Sequence, residues 1–132
     1  MSMGTRSHEL SMFVIYDQWM AYLCDSPTEY NKYPDVLDFL SKVPAVWDKT
    51  LPLQAKLSEY IVTAKQKGND WYVGGMTNWD ARSTEVNLSF LKDNVSYQAT
   101  IFKDAPNSYE QPKEYMVEKR TVDSKTILNI NM

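Results

Sequence analysis

The sequence holds one cysteine and one histidine in 132 residues. With Cys24 alone, no disulfide can close within the chain, and the redox compartment is left open. The same scarcity excludes a zinc site, which needs several His or Cys ligands. Glycine is sparse too, and two of the four glycines are adjacent, at Gly74 and Gly75. Neither charge sign dominates: the formal net charge is -3 and the basic residues are scattered. That leaves no electrostatic footprint for nucleic acid. No apolar run is long enough to span a bilayer, because Asp17 and Gln18 split Met12–Tyr16 from Trp19–Leu23. A signal peptide needs an unbroken apolar core with small residues before its cleavage site. Tyr22 and Leu23, ahead of Cys24, are too large for a lipoprotein cleavage site. The reading is no membrane span and no targeting segment.

What the chain has is aromatic and β-branched residues. Aromatics make up 13% of it, enough to exclude wholesale disorder, and the length suits one domain with a modest core. The organising stretch is Glu59 to Trp79. Two β-rich runs flank Lys67-Gly68-Asn69-Asp70, where Gly and Asn tolerate positive φ, so the tetrad reads as a hairpin turn. Tyr60, Val62 and Ala64 share one face of the first strand. The second strand, Trp71 to Asn78, is apolar on both faces at its start, as a covered central strand would be. A Gly pair inside it is costly unless a bulge or a close neighbouring backbone requires it.

Before this hairpin the pattern is helical. Residues from about Gly4 to Cys24 lack proline and space their apolar residues as a helix does. Met12, Phe13, Ile15, Tyr16, Trp19, Met20 and Leu23 spread around that helix, so it needs cover on more than one side. Ser26-Pro27-Thr28-Glu29 has the form of a capping box opening a short helix through Tyr30. Pro34 opens another, which Val43-Pro44 ends. From Ala45 onward strands are expected near Val46–Leu53, Leu57–Lys67, Asp70–Asn78, Thr84–Phe90, Ser96–Lys103, Glu114–Val122 and Lys125–Asn131. Asp104 to Pro112 reads as a polar loop, and Asp123-Ser124 as a tight turn. The fold class is mainly β: an antiparallel β-sandwich preceded by one long helix and one or two short ones.

The residues offer chemistry little to work with. His8 beside Ser7 and Ser11 lacks a third triad group and an oxyanion hole, and reads as a surface or interface residue. Cys24 lacks an activating partner and reads as buried and inert. Asp104, Asn107 and Glu110 carry oxygens that could hold calcium, but without the dense ligand spacing and turn glycine of an EF-hand they read as a solvated loop. Trp47, Trp71, Tyr72, Trp79 and Tyr97 could stack on sugars. Trp71 and Trp79 share strand parity, and all five read first as core. No catalytic, cofactor-binding or metal-ligating residue is assigned.

Several stretches together resemble the C-terminal end of glycoside hydrolase family 97, the α-glucosidases and α-galactosidases of Bacteroides-like bacteria. They are Met3-Gly4-Thr5-Arg6 with His8 and Leu10, Asp25-Ser26-Pro27 with Tyr30, and Val43-Pro44 with Val46-Trp47-Asp48. Gly68, the run Asp70 to Trp79, Leu88-Ser89-Phe90-Leu91 and Glu118-Lys119-Arg120 complete the match, which follows the whole chain in order. WYVGGMTNW is the specific piece. The resemblance implies that residues 1–24 correspond to the last helix of a (β/α)8 catalytic barrel. Residues 25–44 would be connecting short helices, and 45–132 a C-terminal β-sandwich whose Gly-rich final strand is truncated at Met132. It also implies catalytic glutamates and calcium in upstream domains, a missing barrel as partner through helix 5–24, and a periplasmic or extracytoplasmic location.

Three functions follow as expectations. The first is a non-catalytic sandwich bracing the barrel of an α-glycosidase. The second is a carbohydrate-binding module, which needs exposed coplanar aromatics. The third, a self-contained enzyme, lacks a catalytic constellation. The apolar second face of the N-terminal helix, which includes Met12 and Ile15, is expected to be bare in this chain and to drive self-association.

Overall fold

The computed structural model describes residues 4–18 and 26–132. Among the described residues three helices precede seven strands: α1 (Arg6–Ile15), α2 (Pro27–Tyr30), α3 (Pro34–Lys42), β1 (Lys49–Lys56), β2 (Tyr60–Lys67), β3 (Asp70–Thr77), β4 (Ser83–Asn87), β5 (Tyr97–Asp104), β6 (Tyr115–Val122) and β7 (Ile127–Asn131). All pairings are antiparallel. They form one three-stranded sheet, β1-β2-β3, and two ribbons, β4-β7 and β5-β6. The expected seven strands are present, and the fold is the mainly β class that the sequence pattern indicates.

The hairpin turn forms where the tetrad places it. Lys67 pairs with Asp70, and Gly68 takes a φ of +59°. Asp48 holds the turn from outside, accepting from the Gly68 amide at 2.8 Å and from Lys67 Nζ at 2.9 Å. Those two donors keep its carboxyl below the ordinary aspartate range, the Gly68 bond being the larger influence.

The core lies between the three-stranded sheet and the two ribbons. Val62, Val86, Leu88, Leu91 and Val122 are buried there, with Trp71, Phe90, Tyr97 and Ile130 packed against them. Alternation along β2 and β3 sorts the other face. Val62 and its register partner Gly75 point to the core, while Thr63 and its partner Gly74 point to the helical layer. This explains the paired glycines. A Cβ on Gly74 would lie 2.8 Å from Ile15 Cγ1 and 3.2 Å from the Ser11 carbonyl oxygen. One on Gly75 would lie 3.0 Å from Met132 Sδ. Each glycine admits a close neighbour, one on each side of the same strand.

Three expectations need correction. β3 is an edge strand of its sheet, and β2 is the central one; β3 is apolar on both faces because helices cover one and the core the other. The N-terminal helix stops at Ile15: Tyr16 is extended, at φ -77° and ψ 136°. Its expected continuation over Trp19 to Cys24 lies outside the described residues. Finally, Ile15 lies against Gly74 rather than on a bare outer face, and Met12 and Phe13 are half-buried. The short helix α2 begins at Pro27 as expected, although the Ser26 side chain does not cap it.

Candidate functional site

α1 is anchored at both ends. At its start, Thr5 Oγ1 accepts from the His8 amide at 3.2 Å, and the Arg6 amide donates to the Pro112 carbonyl at 2.9 Å. Those bonds occupy two of the helix's orphan donors. The Arg6 guanidinium lies 3.7 Å from the Tyr33 ring centroid and 5.3 Å from that of Tyr115. Tyr115 donates its hydroxyl to Asp35 at 2.7 Å. Burial first, then the Asp35 carboxylate, push the Tyr115 phenol up to about 12. This cluster joins α1, α3 and β6, and Phe39 packs on Phe102 beside it at 5.2 Å.

At the other end of α1 sits Lys65, whose side chain is 1% exposed. Its ammonium donates to the Ile15 carbonyl at 3.0 Å and to Asp17 Oδ1 at 2.6 Å. The Trp47 ring centroid is 5.5 Å away. A cation at the last carbonyl of a helix is favoured by the helix dipole and satisfies an orphan acceptor. Lys65 therefore clamps the end of α1 onto the central strand. Sequence reasoning misses it, since a lysine at that point of β2 carries no local signal of burial.

The candidate residues of the sequence do not converge in space. His8 and Ser11 lie on α1, where Ser11 Oγ donates to the His8 carbonyl at 2.7 Å. No triad geometry follows. Cys24 lies outside the described residues. Asn107 spends its carbonyl on the Glu110 and Gln111 amides, at 3.0 and 2.9 Å. Asn107 and Glu110 are exposed, and Asp104 is half-buried at the end of β5. Among the described residues no three His, Cys, Asp or Glu groups are placed to hold a metal ion. No described helix is long and apolar enough to cross a membrane.

The aromatics divide. Trp71 packs on Phe90 at 4.7 Å within the core cluster. Trp47 meets Tyr72 edge-on at 5.2 Å, and Tyr72 donates its hydroxyl to the Lys42 carbonyl at 3.0 Å. Burial, with the Asp70 charge second, raises the Tyr72 phenol above its ordinary value. Tyr97 is packed against the core. Trp79 departs from the expectation of core placement, for it is 85% exposed. β3 ends at Thr77, so strand parity no longer governs Trp79.

Core, register and helical cover together define an antiparallel β-sandwich domain with a helix laid across one face of its three-stranded sheet. Residues 46–132 match the family described as "Glycosyl-hydrolase 97 C-terminal, oligomerisation". The chain belongs to glycoside hydrolase family 97, through its C-terminal domain. It is 41% identical to a retaining α-galactosidase of Bacteroides thetaiotaomicron over all 132 residues, which is 20% of that protein. A probable retaining α-galactosidase of Streptomyces bingchenggensis is 34% identical over 80 residues, covering 61% of this chain and 13% of that protein. Among solved structures, a family 97 enzyme of Pseudoalteromonas sp. strain K8 in complex with acarbose superposes with a TM-score of 0.93. Its identity is 29%, and the match covers 98% of this chain and 21% of that one. The chain thus spans about a fifth of the length of the relatives it matches.

Proposed function

We propose that this chain is a non-catalytic sandwich that braces the catalytic barrel of a family 97 α-glycosidase, most simply an α-galactosidase, and that it also mediates self-association. The observation that carries the bracing role is the seam between α1 and β3. A helix that resembles the last barrel helix is seated on the sheet at a glycine and held at its end by Lys65. Such a seam transmits the rigidity of the sandwich to whatever packs on the other side of α1. Two curated relatives are named retaining α-galactosidases, and the family description includes oligomerisation. The catalytic acid and base, and calcium, belong on this reading to the barrel, in an extracytoplasmic enzyme.

The test uses a long-chain enzyme carrying this segment behind its barrel. Gly74→Val would push Ile15 off the sheet. The half-life of activity at raised temperature should fall at least about tenfold, with KM unchanged and turnover at low temperature retained. An unchanged half-life with lost turnover would assign the sandwich to the chemistry instead.

A further inference from the structure

Large apolar side chains left in water singly are ordinary; a pair mounted on one rigid tip is not. Leu57 is 95% exposed and Trp79 is 85% exposed. They occupy adjoining turns at one end of the three-stranded sheet. The Asn78 amide donates to the Glu59 carbonyl at 2.8 Å, and Asn78 Nδ2 donates to the Ser58 carbonyl at 3.3 Å, joining the two turns. Asn78 Oδ1 accepts from the Asp80 amide at 3.0 Å, and Thr77 Oγ1 donates to the Asp80 carbonyl at 3.0 Å. Arg82 closes the base, paired with Glu59 at 2.9 Å. The backbone that carries Leu57 and Trp79 is thus fixed before any partner arrives, which lowers the ordering cost of burying them.

We infer that this Leu57–Trp79 tip is the face through which two copies of the chain meet. The inference rests on the self-association reading above and names its surface. The rim charges favour a second copy over another partner. Lys56, the last residue of β1, and Asp80, in the turn after β3, are 65% and 78% exposed and of opposite sign. Their present partners, Glu59 and Arg82, belong to the same tip. A two-fold axis through the apolar centre brings Lys56 of one copy toward Asp80 of the other, twice. That is the self-complementary arrangement an isologous dimer requires. A buried Trp ringed by polar groups is also the usual composition of an interface anchor.

Sedimentation velocity over a range of concentrations, with circular dichroism melts as a check on folding, tests the inference. The wild-type chain should show a concentration-dependent dimer. Leu57→Asp combined with Trp79→Ser should weaken dimerisation at least about tenfold without lowering the melting temperature at dilutions where the wild type is monomeric, since neither residue supports the core. Lys56→Glu and Asp80→Lys should each weaken the dimer, and the two together should restore it. A dimer as strong in the Leu57/Trp79 variant as in wild type would overturn the tip while leaving self-association standing. A wild-type chain monomeric at every concentration would overturn both and assign the tip to another domain of the long enzyme. Failure of the paired charge reversal to restore association would overturn the two-fold arrangement.

Discussion

Replacing Lys65 with Ala is expected to lower the stability of the chain by about 3 kcal/mol, the order expected for a lost hydrogen bond from a charged donor together with emptied packing space. Two losses combine. The Ile15 carbonyl loses the donor that terminates α1, and the space of the aliphatic stem beneath Trp47 is left empty. Asp17 contributes little of this. Its side chain is 76% exposed, and ion pairs to such groups are weak. Asp17→Asn should therefore cost less than about 1 kcal/mol. Lys65→Met restores the packing but not the bond, and should fall between Ala and wild type. Urea unfolding of the four proteins orders them. A Lys65→Ala chain as stable as wild type would show that α1 is not held at this end.

Trp71→Ala is expected to cost about 3–4 kcal/mol, as aromatic truncations beside a core do. Trp71 meets Phe90 at 4.7 Å and packs against the core cluster to which Val62 and Val86 belong. Trp79→Ala should change stability by less than about 0.5 kcal/mol, because the side chain touches little. The contrast separates bracing from sugar binding. A carbohydrate-binding module would lose ligand affinity on truncating Trp71 and keep its stability. Thermal melts and maltooligosaccharide titrations of both variants decide the matter. A Trp71→Ala protein that melts like wild type would remove Trp71 from the core.

Much of the fold is legible in the sequence for a simple reason: alternation and turn chemistry are local. Lys67 to Asp70 declares its turn because Gly68 tolerates the required φ, and Val62 and Val86 declare the buried face by parity. Parity tells which side chains share a face, but not what covers it. Lys65 shares a face with Thr63, which is buried because α1 lies across it, and the register of a helix on a sheet has no signature along one strand. Periodicity puts Ile15 on the wrong side of α1 on the same ground. Trp79 escapes period-two reasoning because the strand stops at Thr77, where Asn78 turns back to bind Ser58 and Glu59. The Gly74-Gly75 pair does signal close approach. Only the structure shows that the demand comes from α1 on one side and Met132 on the other. For the site, the sequence offers single residues, and their failure to converge becomes visible only when His8, Ser11, Asp104 and Glu110 are placed in space.

On the proposed function, this segment of a family 97 glycosidase supports chemistry done elsewhere. Turnover of nitrophenyl α-galactoside and α-glucoside by the purified 132-residue chain, with and without calcium, tests it most directly. No hydrolysis above the buffer rate is expected, because the described residues assemble no acid and base pair on a rigid scaffold. Hydrolysis that co-purifies with the chain and disappears on unfolding it would place an active site within these residues.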